Sequence, residues 1–214
     1  MERSRQRILR IIQHSGAATV ESLAKQLALA PATVRRHLDI LQRDSLVTFV
    51  EVRKPTGRPE YSFTLTDRGH EAMPKSYAPL MLDTLRVIGA RTHGQLDGKS
   101  GGEVLQAVFQ EMGRKAAARW SGGPGRTRAE SISAVLAEHG FAPEVTQGKS
   151  GLHMKLANCP FRAVAMGDPS VCEFDSNLIE GVLGMPVTRD SCIAKGDSCC
   201  VYSAPGRGAA AGKA

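Results

Sequence analysis

All five cysteines of this chain lie in one stretch, at Cys159, Cys172, Cys192, Cys199 and Cys200, and none precedes residue 159. Thiolate is the form of cysteine that binds iron or zinc and that exchanges disulfides. Twelve residues separate Cys159 from Cys172, and 27 separate Cys172 from Cys200. Such distances do not make a local knuckle, so the thiols meet only if the fold gathers three segments. Structural zinc usually takes paired C-x₂₋₄-C ligands, a pairing this chain lacks. Iron–sulfur clusters accept more dispersed thiolates. Taken singly, each cysteine reads as a small buried hydrophobe. Taken together, five in 42 residues read as a metal or redox site. Cys159 precedes Pro160 and is expected at a helix N-cap, and Cys172 in the first turn of the next helix. The partial positive charge there favours thiolate. The six histidines are scattered. With no Gly-rich phosphate loop and no Ser/His/Asp arrangement, the chain does not read as an enzyme.

A second constellation is basic. The 214 residues carry a net charge of +7, and residues 1–75 hold 13 Lys/Arg against 8 Asp/Glu. This surplus points to an anionic partner, with nucleic acid first in line. In "PATVRRHLDILQRD", Val34, Leu38 and Leu41 define a buried helix face. Ala32, Thr33, Arg35, Arg36 and Arg43 then lie on or beside the opposite face, where arginines can reach guanine edges or phosphates. A turn further on carries Arg53, Lys54 and Arg58, placed to meet the backbone or a minor groove. Double-stranded, palindromic operator DNA is the expected partner, and palindromy implies a homodimer.

The elements that carry these residues follow from periodicity. Residues 4–14 and the "TVESLAKQLAL" stretch, capped by Thr19, are amphipathic helices. Pro31 opens the third helix. "LVTFVEVRK" and "YSFTLT" form a hairpin about "PTGRPE", completing a winged helix. Apolar-striped helices are expected over 77–91 and 103–120, joined by a glycine-rich linker at 93–102, and these helices are the expected dimer interface. A further helix spans 128–139. "FAPEVTQ" and "GLHMKLAN" pair as strands. "DPSVCEFDSNLIEGVLG" is a helix capped by Asp168, and "MPVTRDSCIA" and "CCVYSA" are closing strands. The fold class is α+β: a winged helix-turn-helix domain (1–75), a helical linker and dimerisation region (76–140), a small α/β cysteine-rich sensor domain (141–203) and a disordered tail (204–214). The charged start lacks a signal-peptide core, and no stretch is apolar enough to span a membrane, so the cytoplasm is the expected compartment.

The winged helix followed by "NCPF…VCEFDSNLIEGVLG…GDSCCVY" resembles the SufR group of iron–sulfur-sensing repressors over residues 1–203. The resemblance implies a homodimeric repressor of cluster-assembly genes that carries a cluster, usually [4Fe–4S], in each C-terminal domain. It assigns Cys159, Cys172 and Cys200 as ligands. Some members have another cysteine near the position of Pro186, and this chain has none there. The fourth ligand stays open among Cys192, Cys199, a carboxylate such as Glu173 or Asp175, His153 and a small molecule. A metal-free regulator that responds to thiol redox state or to a small ligand is the alternative.

Overall fold

The structure, a computed structural model, describes residues 2–52, 60–122, 125–148 and 151–206. The chain divides into two units, Met1–Pro74 and Lys75–Ala214.

In the first unit, α1 (Glu2–Ser15) leads through a two-residue strand, β1 (Ala18–Thr19), to α2 (Val20–Leu27) and α3 (Pro31–Arg43). Thr19 caps α2 as expected: Ser22 N donates to its Oγ1 at 3.2 Å, and Thr19 N donates to Ser22 Oγ at 3.0 Å. Pro31 occupies the first turn of α3. Ile8, Ile12, Leu23, Val34, Leu38 and Leu41 are fully buried between the three helices. β2 (Val47–Val52) and β3 (Glu60–Leu65) pair antiparallel with Phe49 opposite Phe63, and β1 adds to the far edge of β3. Thr66 starts α4 (Asp67–Glu71), its Oγ1 accepting from Gly69 N at 3.0 Å and donating to Ser45 O at 2.6 Å. A Cβ at Gly69 would fall 2.0 Å from Leu46 O, so only glycine permits this approach.

The second unit begins with α5 (Tyr77–Gly89), α6 (His93–Leu96), α7 (Gly101–Arg119) and α8 (Arg128–Glu138). The stretch read as a linker therefore contains α6 and the start of α7, which Ser100 and Glu103 close with a capping box. β4 (Pro143–Gly148) and β5 (Gly151–Leu156) follow, then α9 (Arg162–Gly167), a 3₁₀ turn (Pro169–Cys172), α10 (Glu173–Leu183), β6 (Thr188–Ser191), a second 3₁₀ turn (Ile193–Lys195) and β7 (Cys200–Pro205). The antiparallel sheet runs β4-β5-β7-β6. Ala204 and Pro205 pair with β5, so the strand continues into the segment expected to be disordered, and residues 207–214 lie outside the described ones.

One core serves the whole second unit. Val108 and Met112 of α7, Ile132 and Leu136 of α8, and Met154 and Leu156 of β5 belong to the same apolar cluster. Helices expected to form a separate linker region thus share one core with the sheet and with the cysteine segments. α7 and α10 approach closely because Gly113 faces α10. A Cβ there would stand 2.4 Å from Phe174 O and 3.0 Å from Leu178 N. That approach fixes the start of α10, immediately after Cys172.

Candidate functional site

The basic face of α3 is built as its pattern requires. Val34, Leu38 and Leu41 are buried together with His37, while Ala32, Thr33, Arg35, Arg36 and Arg43 are exposed. With the small Ala32 and Thr33 at the helix start, the exposed face can approach a groove floor and bring arginines to base edges or phosphates. Arg53, Lys54 and Arg58 lie outside the described residues. On the hairpin beside them Phe49 stacks edge-on against Tyr61 at 4.7 Å between ring centroids.

The cysteines gather, but not as activated thiolates. Cys172, Cys192 and Cys200 are buried in the core of the second unit, and Cys159 is half-buried against it. β7 carries Cys200 opposite Leu156, and its Sγ accepts from Ile193 N at 3.3 Å. Cys192 sits where β6 gives way to the second 3₁₀ turn, its N–H donating to Asp197 Oδ2 at 2.7 Å. Cys159, Cys172 and Cys200 all feel the charge of Asp175 and that of Cys192. Cys199 is half-buried and not part of that core.

Burial, and after it Asp175, pushes the Cys159 thiol up to about 12. The same two causes push Cys172 up. Burial also raises Cys200, against the N–H of Ile193. The expected lowering at helix N-termini is thus reversed, for a local reason. Cys159 precedes the N-cap of α9 (Phe161) by two residues, and Cys172 ends a 3₁₀ turn and is itself the N-cap of α10. Desolvation beside a carboxylate outweighs the partial charge of a helix end.

A buried polar network, not foreseen from the sequence, ties this pocket together. Tyr202 of β7, fully buried, donates its hydroxyl to Asp175 Oδ2. Arg189 of β6 donates from Nε to Tyr202 Oη at 2.8 Å and from Nη2 to Cys172 O and Ser176 Oγ. Burial raises Asp175 to about 6, against the pull of Tyr202 and Arg189. Burial opposes the charge of Arg189, but Tyr202 and Asp175 more than offset it. One guanidinium thereby joins β6, β7 and the start of α10 around Cys172. Its partners lie 13 and 17 residues away in sequence, so no local pattern announces it.

The half-buried thiol belongs to a segment that holds the start of the second unit. Lys75 Nζ donates to Cys159 O at 3.1 Å and to Asn158 Oδ1 at 3.4 Å. Ser76 N donates to Pro160 O at 3.1 Å, and Ala163 N to Tyr77 Oη at 3.0 Å. Asn158 is itself fixed by donating to Gly140 O at 2.7 Å.

Cys172, Cys192 and Cys200 share the core of the second unit with Cys159 packed against it, and thiolate is the ligand type iron–sulfur clusters use. Among the described residues, no three His, Cys, Asp or Glu side chains stand in metal-holding geometry. His153 lies on β5 opposite Ser203, and no interaction in the pocket involves it.

A family model described as a helix-turn-helix domain matches residues 1–49. No curated protein and no solved structure matches the chain. The family match, with the basic face of α3, supports a winged-helix transcriptional regulator that binds DNA. No described helix is long and apolar enough to cross a membrane.

Proposed function

We propose that the chain is a cytoplasmic, homodimeric transcription repressor of iron–sulfur cluster assembly genes that senses iron or redox state through an iron–sulfur cluster, [4Fe–4S] by its resemblance to the SufR group. What supports this reading is that Cys172, Cys192 and Cys200 lie in one buried core with Cys159 packed against it, while Cys199 is not part of that core. It favours Cys192 over Cys199 as the fourth ligand. When bound, such a cluster supplies an oxidation-sensitive cross-link among these segments. The chain's own residues do the rest. Arg189 and Tyr202 hold the Cys172 turn against the sheet, and the bonds from Lys75 and Ser76 hold the Cys159 loop to the segment that leaves the DNA-binding unit.

Dimerisation is assigned to α5. Leu80 and Val87 face the core, whereas Met81 (60% exposed), Leu82, Leu85 (58%) and Ile88 form an outward apolar stripe. α7, the other expected interface helix, spends Val108, Phe109 and Met112 within the unit.

Anaerobically purified protein should contain iron and acid-labile sulfide. Serine at 159, 172, 192 or 200 should abolish both, and Cys199→Ser should retain them. Cluster-loaded protein should bind a duplex selected from random DNA more tightly than cluster-free protein, with affinity falling as salt rises. Stoichiometric zinc without sulfide, or equal loss from all five variants, overturns the cofactor assignment.

A further inference from the structure

A cavity of about 300 Å³ opens between α5, α7, α8 and the first turn of α10. It lies entirely within the second unit, and none of the four gathered cysteines lines it. Its volume is at the lower end of the range for small-molecule sites. Val87, Met112, Val135 and Phe174 supply apolar wall. Arg86, Lys115 and Arg119 line it as cations, against the carboxylates of Asp83 and Glu138. Arg86 is paired with Asp83 at 2.8 Å, and Lys115 with Glu111 at 2.7 Å. Arg119 has no ion-pair partner among the described residues. Trp120 also lines the cavity, and its Nε1–H is buried without an acceptor among the described residues. An indole N–H can only donate, so the partner it lacks is an acceptor. His139 Nδ1 stands 2.9 Å from Val135 O; a carbonyl only accepts, so this nitrogen carries the proton.

The geometry points to a binding site for a small amphipathic carboxylate, its apolar body against Val87, Met112, Val135 and Phe174 and its carboxylate held by Arg119. With Arg86 held by Asp83 and Lys115 by Glu111, Arg119 is the lining cation without an ion-pair partner among the described residues, and an anion engages it where a neutral molecule of the same shape does not. The site does not depend on the cofactor reading. It does share an element with the thiol pocket. Phe174 packs on His139 at 5.6 Å and on Phe161 at 5.5 Å, and it follows Cys172 by two residues. An occupant would therefore press on the start of α10.

Octanoate is a suitable probe, with 1-octanol as its neutral counterpart. Trp120 is the only tryptophan of the chain, so its fluorescence reports the site directly, and octanoate does not absorb where it is excited. Titration of the full chain should give a saturable change in Trp120 emission with octanoate, confirmed by calorimetry, and at least tenfold weaker binding of 1-octanol. Arg119→Gln, at an exposed position that leaves folding undisturbed, should weaken octanoate about tenfold or more and bring it level with 1-octanol. Ala116→Phe, which fills the cavity, should remove both. Absence of saturable binding, or octanoate binding indifferent to Arg119→Gln, overturns the assignment whether or not Ala116→Phe folds.

Discussion

Gly113→Ala tests whether close helix packing builds the thiol pocket. In the middle of α7, alanine is favoured over glycine by about 1 kcal/mol through backbone entropy. Against this stands the geometry. The new Cβ would lie 2.4 Å from Phe174 O, 2.9 Å from Asn177 Cβ and 3.0 Å from Leu178 N. Two of these atoms are backbone, so no flexible side-chain end can yield and the helices must separate. Overpacking of this kind costs about 1–3 kcal/mol. The net expectation is destabilisation by up to about 2 kcal/mol, against the gain of up to about 1 kcal/mol that an unhindered site would show. Gly102→Ala is the internal control. It lies in the same helix, its Cβ would meet nothing within 4 Å, and it should gain up to about 1 kcal/mol. Urea unfolding followed by Trp120 emission reads the second unit selectively, because the only tryptophan caps α7. Gly113→Ala should also speed modification of buried Cys172 by a thiol reagent, since Phe174 and Cys172 share the displaced segment. If Gly113→Ala stabilises as much as Gly102→Ala, α7 and α10 do not meet as described.

Arg36→Ala should cost about 1–3 kcal/mol of specific DNA binding through a lost base contact, whereas Arg58→Ala should weaken binding evenly across sequences; unchanged affinity in both variants refutes the proposed docking. Leu85→Glu should yield monomers by sedimentation without loss of thermal stability, because the side chain is 58% exposed in the protomer. A dimer that persists moves the interface elsewhere. Lys75→Met removes the bonds to Asn158 and Cys159 and should narrow the difference in DNA affinity between cluster-loaded and cluster-free protein, leaving the iron content unchanged.

The parts legible in the sequence are those set by neighbours. Thr19, Pro31, Thr66 and Asp168 announce their helix starts through short-range hydrogen bonds or a fixed φ, and the hairpin of the wing is written in β-branched residues around a turn. The thiol pocket was legible as a set of residues and not as an environment. The resemblance singles out Cys159, Cys172 and Cys200 and leaves Cys192 and Cys199 open; the core that gathers Cys192 with them and leaves out Cys199 is set by the fold. The expectation of lowered thiols weighed helix ends alone; burial, the larger cause, arises from the packing of the whole unit, and Asp175, although only three residues after Cys172, acts on the thiols because it is buried with them. The strand read through residues 185–194 is shorter because its register shifts between Arg189 and Ser191 and the chain then turns onto Asp197. Gly113 stands in the sequence without a signal, since a required close approach leaves no periodic trace.

On the proposed reading, the four thiols are not equivalent. Cys172, Cys192 and Cys200 are buried, and the segments around them are bonded to Arg189, Asp197 and the sheet, so they form a fixed frame. Cys159 is half-buried on a loop whose backbone is held mainly by the residues that follow the DNA-binding unit. A link from the frame to Cys159 therefore constrains the loop, and through Lys75, Ser76 and Tyr77 it constrains the chain leaving that unit. Each of these hydrogen bonds contributes about 0.5–1.5 kcal/mol net. Two or three of them acting together reach the 1–3 kcal/mol, roughly, that couples two sites usefully. The switch then needs no large rearrangement of the core, because the movable ligand is the one already joined to the connector.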